Sequence, residues 1–346
     1  MQFLSNMIPI VERAGIPDNF ARVAISMLVA RTSKALLAQE YDSSAAFART
    51  MREKPIATHV SEANTQHYEL PPTFFGLVLG PHRKYSCCYY ESEASSLVEG
   101  EKAALEATAR HADIADGQAI LELGCGWGSF ALFAAQRFPN AKIVAVSNSS
   151  AQREYIENRI RALGINNLYV VTADMNEFQP DRTFDRVVSI EMFEHMANWP
   201  QLLSRIRSWL APEGQLFIHV FSHRSTPYRF DHSKTRDWIA QHFFTGGIMP
   251  SHNLLRQCTK AFRVENEWRW NGRHYQRTAQ HWLKNFDRNG EAIDHILSDV
   301  YGAEAKLWRQ RWRLFFLATA GLFGHDRGEV WGVSHYRLKP VDIQIA

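Results

Sequence analysis

The sequence predicts an α/β protein with a mostly parallel sheet and helices on both faces. Three observations predict it. Between residues 116 and 221, apolar runs of strand length alternate with segments of helical periodicity, the pattern of parallel strands joined by helical crossovers. The first run, Ile120-Leu121-Glu122-Leu123, ends in Gly124-Cys125-Gly126-Trp127-Gly128, and a helical segment over 130–136 follows at once. Glycine has no Cβ, so such a turn lets a ligand approach bare backbone. In an open α/β sheet, it lies at the carboxyl edge of the strand, where ligands bind.

Taken in order, residues 1–55 read as helical. Pro17-Asp18-Asn19 is a start signal, and Val23, Ile25, Met27, Leu28, Leu36 and Leu37 recur at helical spacing over 20–40. This stretch is expected to form a cap or arm within an N-terminal unit, 1–80. Residues 55–81 are irregular, with Pro71-Pro72 and Gly80-Pro81 marking loops. Lys84-Tyr85-Ser86-Cys87-Cys88-Tyr89-Tyr90-Glu91 reads as a strand or loop packing aromatic rings, or as a lid over a site. A helix is expected over 96–112, then strands over 142–147, 168–172, 185–190 and 215–221, with helices over 152–163 and 200–210. Residues 222–260, rich in His, Arg and Phe, read as an insertion after the fifth strand. A strand over 262–270, helices over 279–323 and an edge strand over 330–338 complete a second unit, 81–346. Within it, 222–260 and 279–323 are expected to be helical elements on the substrate side.

Composition excludes several classes. The 346 residues suffice for a full core, and 45% apolar with 22% charged content describes an ordinary globular protein. A formal charge of +3 is too small to argue for nucleic acid. Cys87, Cys88, Cys125 and Cys258 form no disulfide framework and no metal-ligand spacing, so no metal is expected and a cytoplasmic setting fits. Cys125 reads as a small filler in its turn. No signal peptide is read. The longest apolar run, 314–323, is about half of the ~20 residues a spanning helix needs, so any membrane contact is expected to be transient. Oligomeric state stays open, a homodimer among the options.

The ligand class follows from the turn. Its glycines are spaced G-x-G-x-G, not the dinucleotide G-x-G-x-x-G, and no Gly-Lys-Ser/Thr follows to make a phosphate loop. Glu122 before the turn suits a ligand with a cation near the loop. S-adenosyl-L-methionine, with a sulfonium and an α-ammonium, is such a ligand. The next two strand ends hold Ser147-Asn148-Ser149 with Gln152, and Ala173-Asp174-Met175. Asn148 and Gln152 can hydrogen-bond ribose hydroxyls, and Asp174 can accept from an adenine amino group.

With these segments in view, the chain resembles the S-adenosylmethionine-dependent methyltransferases of the cyclopropane fatty-acid synthase superfamily, and within it the coclaurine N-methyltransferase-like branch. The resemblance rests on KYSCCYYE at 84–91, LELGCGWGS at 121–129, SNSSAQ at 147–152, FDRVVSIEMFEHM at 184–196, FIHVF at 217–221, FFTGGIMPS at 243–251 and NGRHY at 271–275. It runs from about residue 55 to the C-terminus. It implies the class I methyltransferase (Rossmann-like) fold with a seven-stranded sheet. It also implies a cofactor site of Tyr85, Ser86, Glu122, Gly124, Gly126, Gly128, Asn148, Gln152, Asp174, Met175 and Ile190.

The reacting groups are expected after the fourth strand, in Glu191-Met192-Phe193-Glu194-His195-Met196. If this stretch begins a helical turn, Glu191 and Glu194 share a face. In-line displacement at a methyl on sulfur needs a neutral nucleophile, a proton acceptor and little water; a carboxylate or a histidine can accept that proton. The bland alternative has the carboxylates capping the next helix and His195 in solvent. The resemblance implies that Glu191, Glu194 and His195 line an amine site. It also implies that the lipid-modifying members hold bicarbonate with positions matching Cys87, Glu194, His219 and Tyr275 and a backbone group at the position of Phe221. The phenylalanine there puts the lipid mechanism in doubt. His219 on a buried strand reads equally as a core histidine.

The expected activity is methyl transfer to a small-molecule acceptor, foremost an amine. Modification of lipid acyl chains, S-methylation of a small thiol and a non-enzymatic binding module are the alternatives. Trp308, Trp312 and Phe315 read as a core stripe with a solvated basic flank rather than a nucleic-acid patch. Phe243, Phe244, Trp268 and Trp282 read as core or substrate wall.

Overall fold

The computed structural model describes residues 17–38, 43–58, 70–231 and 237–341, with Glu12, Gly15 and Ser233. The expectations for residues 1–11 and 59–69 lie outside them. Among the described residues, helices α1 (Asp18–Leu37), α2 (Ser43–Met51) and α3 (Pro72–Val78) precede the sheet. The segment 84–91 is a loop, not a strand. Its rings pack on distant elements, Tyr85 on Phe75 at 5.4 Å and Tyr89 on Trp270 at 4.9 Å. Helix α4 (Leu97–His111) starts where Ser96 accepts the Glu99 N–H and Glu99 accepts the Ser96 N–H, a reciprocal cap.

The predicted alternation then follows: β1 (Ala119–Leu123), α5 (Ser129–Arg137), β2 (Lys142–Ser147), α6 (Ser150–Leu163), β3 (Leu168–Thr172), β4 (Phe184–Ile190), α7 (Trp199–Trp209) and β5 (Leu210–His223). Strand β1, between β2 and β4, is an almost continuous apolar run because a central parallel strand is covered on both faces; Ile120, Leu121 and Leu123 are all wholly buried. Beyond β5 lie β6 (Tyr228–Arg229), α8 (Trp238–His242), β7 (Ile248–Met249), α9 (Leu254–Cys258), β8 (Phe262–Asn271), α10 (Arg273–Arg288), α11 (Gly290–Tyr301), α12 (Ala305–Gly324) and β9 (Trp331–Pro340). The seven-stranded sheet has the order β3-β2-β1-β4-β5-β9-β8, with β9 antiparallel to both neighbours.

Three expectations are corrected. The closing strand is not an edge. It lies between β5 and β8, and Trp331 through Tyr336 are buried. Its polar residues mimic an exposed face but are satisfied inside, Ser334 by Ser222 at 2.7 Å and His335 by His219 at 2.9 Å. Residues 222–260 are not simply helical: β6 and β7 form a two-stranded ribbon beside two five-residue helices. The C-terminal helices begin at Arg273 rather than 279, which puts Tyr275 in the first turn of α10.

The helices α1, α3, α10 and α12 build an aromatic body over the carboxyl edge of the sheet. Trp312 lies at its centre, 4.9 Å from Phe74 and 5.0 Å from Phe243. Replacing so buried a ring by alanine costs about 3–5 kcal/mol. Trp308 and Phe315 are only half-buried beside it, so the stripe is core with a flank. Helix α1 is tied to α12 by Asp18 and Arg313 at 2.8 Å.

Candidate active site

The ends of β1, β2 and β3 open into a cleft lined by Gly124, Gly126, Asn148, Gln152, Asp174 and Met175. Gly124 and Gly128 sit at φ +75° and +76°; a Cβ on the first would strike Met192, and on the second Ile156 of α6. The backbone therefore passes close to its neighbours in a left-handed conformation that other residues resist. Gln152 is buried and pinned by the Ser147 hydroxyl at 2.7 Å. Asp174 accepts the Asn176 N–H at 2.8 Å, a turn that aims the strand end at the cleft.

A second cavity of ≈ 900 Å³ joins the cleft. Gly124, Gly126, Gln152, Glu191 and His195 line both. On the cofactor side its wall holds Lys84, Tyr85, Ser86, Glu122, Trp127 and Ile190; elsewhere it is Phe221, Tyr228, Phe230, Phe243, Phe244, Trp282, Phe315 and the inner face of α1. Of the four rings left open by sequence, Phe243, Phe244 and Trp282 are cavity wall. Trp268 is not: it stacks on His111 at 3.9 Å. Cys125 is buried in the wall and burial pushes its thiol well up, consistent with a filler.

Glu122 is the first test of the cofactor. It is wholly buried, its Oε2 has no hydrogen-bond partner among the described residues, and burial pushes its carboxyl up to about 8. A buried acceptor left unpaired beside a cavity calls for a cation or donor there. The α-ammonium of S-adenosylmethionine supplies one, so the donor set fits that molecule.

Glu191 stands at the junction. Its φ of +47° turns the chain sharply off β4, and its N–H is held by the His219 carbonyl at 2.8 Å. A non-glycine residue in this region stores about 1–3 kcal/mol of strain and is held there by its surroundings. The turn places the carboxylate among three donors: Cys87 N–H at 2.9 Å and His219 Nε2 at 3.2 Å on Oε1, and Tyr275 Oη at 2.6 Å on Oε2. Burial raises its pKa, while the Lys84 ammonium, Cys87 N–H and Tyr275 O–H oppose that rise. Lys84, itself buried, donates to Ser86 Oγ at 2.5 Å.

Glu194 does not share a helical face with Glu191. It lies in a 3-10 turn, Phe193–His195, wholly buried, and lines neither cavity. Its Oε1 accepts the Phe221 N–H at 2.7 Å, and Oε2 has no partner among the described residues. Burial and the neighbouring Glu191 charge push its carboxyl well up, while burial raises that of Glu191 against the opposing pull of Lys84, the Cys87 N–H and the Tyr275 O–H. His195 faces both cavities with its ring 4.6 Å from Phe244, not solvent. Cys87 contributes its N–H; its thiol is buried and turned to the Cys88 carbonyl at 3.2 Å. The positions expected for bicarbonate thus converge, but the three donors from Cys87, His219 and Tyr275 close on the Glu191 carboxylate. The residues present do not fit a separate anion. Lys84 and the partner of His219, His335, escaped sequence reasoning, because nothing local marks a lysine or a strand histidine as buried.

The chain matches the family model described as mycolic acid cyclopropane synthetase over residues 56–332. It is 35% identical to (S)-coclaurine N-methyltransferase of Thalictrum flavum subsp. glaucum over 295 residues, 84% of this chain and 82% of that one. Pavine N-methyltransferase of the same plant is 28% identical over 344 residues, 97% of each chain. The crystal structure of a coclaurine N-methyltransferase bound to N-methylheliamine and SAH superposes with a TM-score of 0.92 at 32% identity, covering 96% of this chain and 99% of that one. With the matched residues spanning both the glycine cleft and the Glu191 junction, the chain belongs to the mycolic acid cyclopropane synthetase family and is an S-adenosylmethionine-dependent methyltransferase.

Proposed function

We propose that the protein N-methylates a small amine with an aromatic or apolar body, and that Glu191 is the group that takes the amine's proton. The observation that carries this is the Glu191 carboxylate at the junction of the cofactor cleft and an aromatic cavity of ≈ 900 Å³. An ammonium entering the cavity meets the Glu191 carboxyl group at its inner end and rings along its walls, the combination that attracts an organic cation. The relatives named as N-methyltransferases of alkaloids support an amine acceptor.

The cofactor supplies an electrophilic methyl group. What the chain adds is position, proton transfer and dryness. Glycines 124 to 128, Asn148, Gln152, Asp174 and Met175 hold the nucleoside side, with Tyr85, Ser86 and Glu122 around the amino-acid end. Glu191, held by its three donors, orients the acceptor nitrogen and accepts its proton, with His195 beside it. Glu194 braces the backbone of Phe221 through its N–H. Positioning of this kind supplies most of such an acceleration, and a placed base about 10²- to 10⁴-fold. Of the N-terminal unit, the described helices α1 to α3 act as a cap, with α1 as one wall of the acceptor chamber, and the second unit is the catalytic one. The four cysteines are unpaired and buried, which fits a cytoplasmic setting. Among the described residues, no helix is long and apolar enough to cross a membrane.

Labelled cofactor incubated with a panel of aromatic amines, small thiols and phospholipid vesicles tests the reading. Transfer to amines, unchanged when bicarbonate is stripped from the buffer, is the expected result. Transfer confined to lipid would overturn it.

A further inference from the structure

Helix α1 is apolar on two sides. On the inner side, Ala21, Val29 and Leu36 are buried, and Ala24, Leu28 and Ala35 line the acceptor chamber. The outer side carries Phe20, Val23 and Met27, exposed at 70%, 61% and 54%, with Ala30 exposed beyond them and Leu37 exposed at the far end. Positions 20, 23, 27 and 30 fall on one stripe of a helix, about three turns long. Of the eight large apolar side chains exposed among the described residues, four lie on this helix. Single exposed apolar residues are ordinary on a protein surface, whereas a row of them on one face marks a contact.

The charges on the same helix indicate what it contacts. Arg22, Arg31 and Lys34 are exposed. Lys34 continues the stripe beyond Ala30, Arg31 borders it on the chamber side, and Arg22 lies on the opposite flank. The helix has a single acid, Asp18, and Arg313 engages it at 2.8 Å. A bilayer with anionic headgroups answers both features, because apolar side chains enter the headgroup boundary while basic ones meet the negative surface. A second copy of the chain answers only the first, since it would bring the same three cations and no free acid to the contact.

The chamber gives this contact a use. Arg31, Thr32 and Ala35 line the chamber and are also exposed, so the chamber reaches the surface along the flank of α1 beside the stripe. We propose that the outer face of α1 docks the protein on an anionic lipid surface, and that a lipophilic amine passes in its neutral form from the bilayer along this flank into the chamber. Phe20, Val23 and Met27 enter the headgroup layer, and Arg22, Arg31 and Lys34 hold the helix parallel to it. Each basic side chain near such a surface is worth about fivefold in affinity. The attraction is screened beyond about 10 Å at 0.1 M salt, so docking is reversible and salt-dependent. The docking face stands apart from the amine reading; the entry route rests on it.

Sedimentation of the full chain with vesicles tests docking without turnover. Binding to phosphatidylcholine mixed with phosphatidylserine, weakened by added salt, is expected, with little binding to phosphatidylcholine alone. Phe20→Gln with Met27→Gln should lower the binding about tenfold, and Arg22→Gln with Lys34→Gln about 25-fold. The first pair should keep wild-type cofactor affinity and wild-type turnover of a water-soluble amine. No binding by wild type, equal binding to both kinds of vesicle, or binding unchanged in both double variants would overturn the proposal. The four native cysteines are buried, so Ala30→Cys accepts an environment-sensitive dye selectively. Its emission should shift to the blue on anionic vesicles, and no shift would overturn docking by this face even if the double variants failed to fold. Dimerisation that Phe20→Gln with Met27→Gln abolishes, without vesicle binding, would give the face to a second copy instead. With an amine dissolved in anionic vesicles, wild type should turn over about tenfold faster than that variant; equal rates would overturn the entry route. If wild-type protein methylates no amine, the amine reading and the entry route fail together, while docking still stands or falls on sedimentation.

Discussion

Tyr275 donates to Glu191 Oε2 at 2.6 Å, linking the first turn of α10 to the end of β4. Burial and the facing carboxylates push the phenol well up, so the O–H is a permanent donor across the working pH range. A donor to a carboxylate favours its charged form. Tyr275→Phe should therefore raise the Glu191 pKa further, and the acid limb of kcat against pH should move to higher pH. A hydrogen bond to a charged group is worth about 1.5–3 kcal/mol, so kcat at neutral pH should fall roughly 10- to 100-fold. Cofactor affinity by calorimetry should stay near wild type; an equal loss in both would make Tyr275 structural.

The two glutamates should respond differently to the same replacement. Glu191→Gln keeps shape and removes the proton acceptor, so kcat should fall about 10²- to 10⁴-fold. Burial and the charge of Glu191 push the Glu194 carboxyl well up, toward its neutral form, and an amide resembles that form. Glu194→Gln keeps a carbonyl for the Phe221 N–H and should cost far less turnover, again with cofactor affinity unchanged. Initial rates of both variants at saturating cofactor decide the order. If Glu194→Gln is the more damaging, the assignment of charge between the pair is wrong.

Much of this site was legible because its signals are local. The glycine turn, the polar strand ends and the Glu-x-x-Glu-His stretch each sit within a few residues, and an alternating α/β chain brings strand ends together at one edge. Tyr275 was found only through the resemblance, since its helix starts six residues earlier than periodicity indicated. Long-range burial left no trace. The pattern Gly332-Val333-Ser334-His335-Tyr336 reads as half-exposed, and only pairing with β5 and β8 shows that its polar atoms are satisfied inside. The role of α1 in the chamber wall depends on docking against α12, which no spacing in residues 18–37 announces.

Glu122 couples stability to cofactor binding with opposite signs. Its folded carboxyl keeps a proton up to about 8, whereas in the unfolded chain it releases it near 4.5. Folding thus takes up a proton between those values, and this group's contribution to stability falls as pH rises through them. Glu122→Gln should raise the melting temperature of the cofactor-free protein at pH 8 and flatten its decline from pH 6 to 8. The same change should weaken cofactor binding about 10- to 100-fold, by loss of the partner for the ammonium. Melting curves with and without cofactor test both; a variant that melts lower at pH 8 and binds normally would refute them.

The aromatic wall predicts where acceptor specificity lies. Phe244 is half-buried between two groups of the site, its ring 4.6 Å from His195 and 5.6 Å from Phe221, and 4.9 Å from Phe230. Phe244→Ala removes contact area that an acceptor uses equally before and during methyl transfer. Such uniform binding appears in KM with kcat little changed. Losing a buried ring face and its aromatic pairing is worth about 1.5–3 kcal/mol of area and 0.5–1.5 kcal/mol of pairing. Part of this is recovered by water, so KM for an aromatic amine should rise roughly tenfold. KM for the cofactor should not move, because Phe244 is absent from the walls of the glycine cleft. A bulkier acceptor should lose less than a small one, since the vacated volume accepts it. Steady-state kinetics with two amines of different size measure this. A fall in kcat with KM constant would place Phe244 with the residues that orient His195, not with those that select the acceptor.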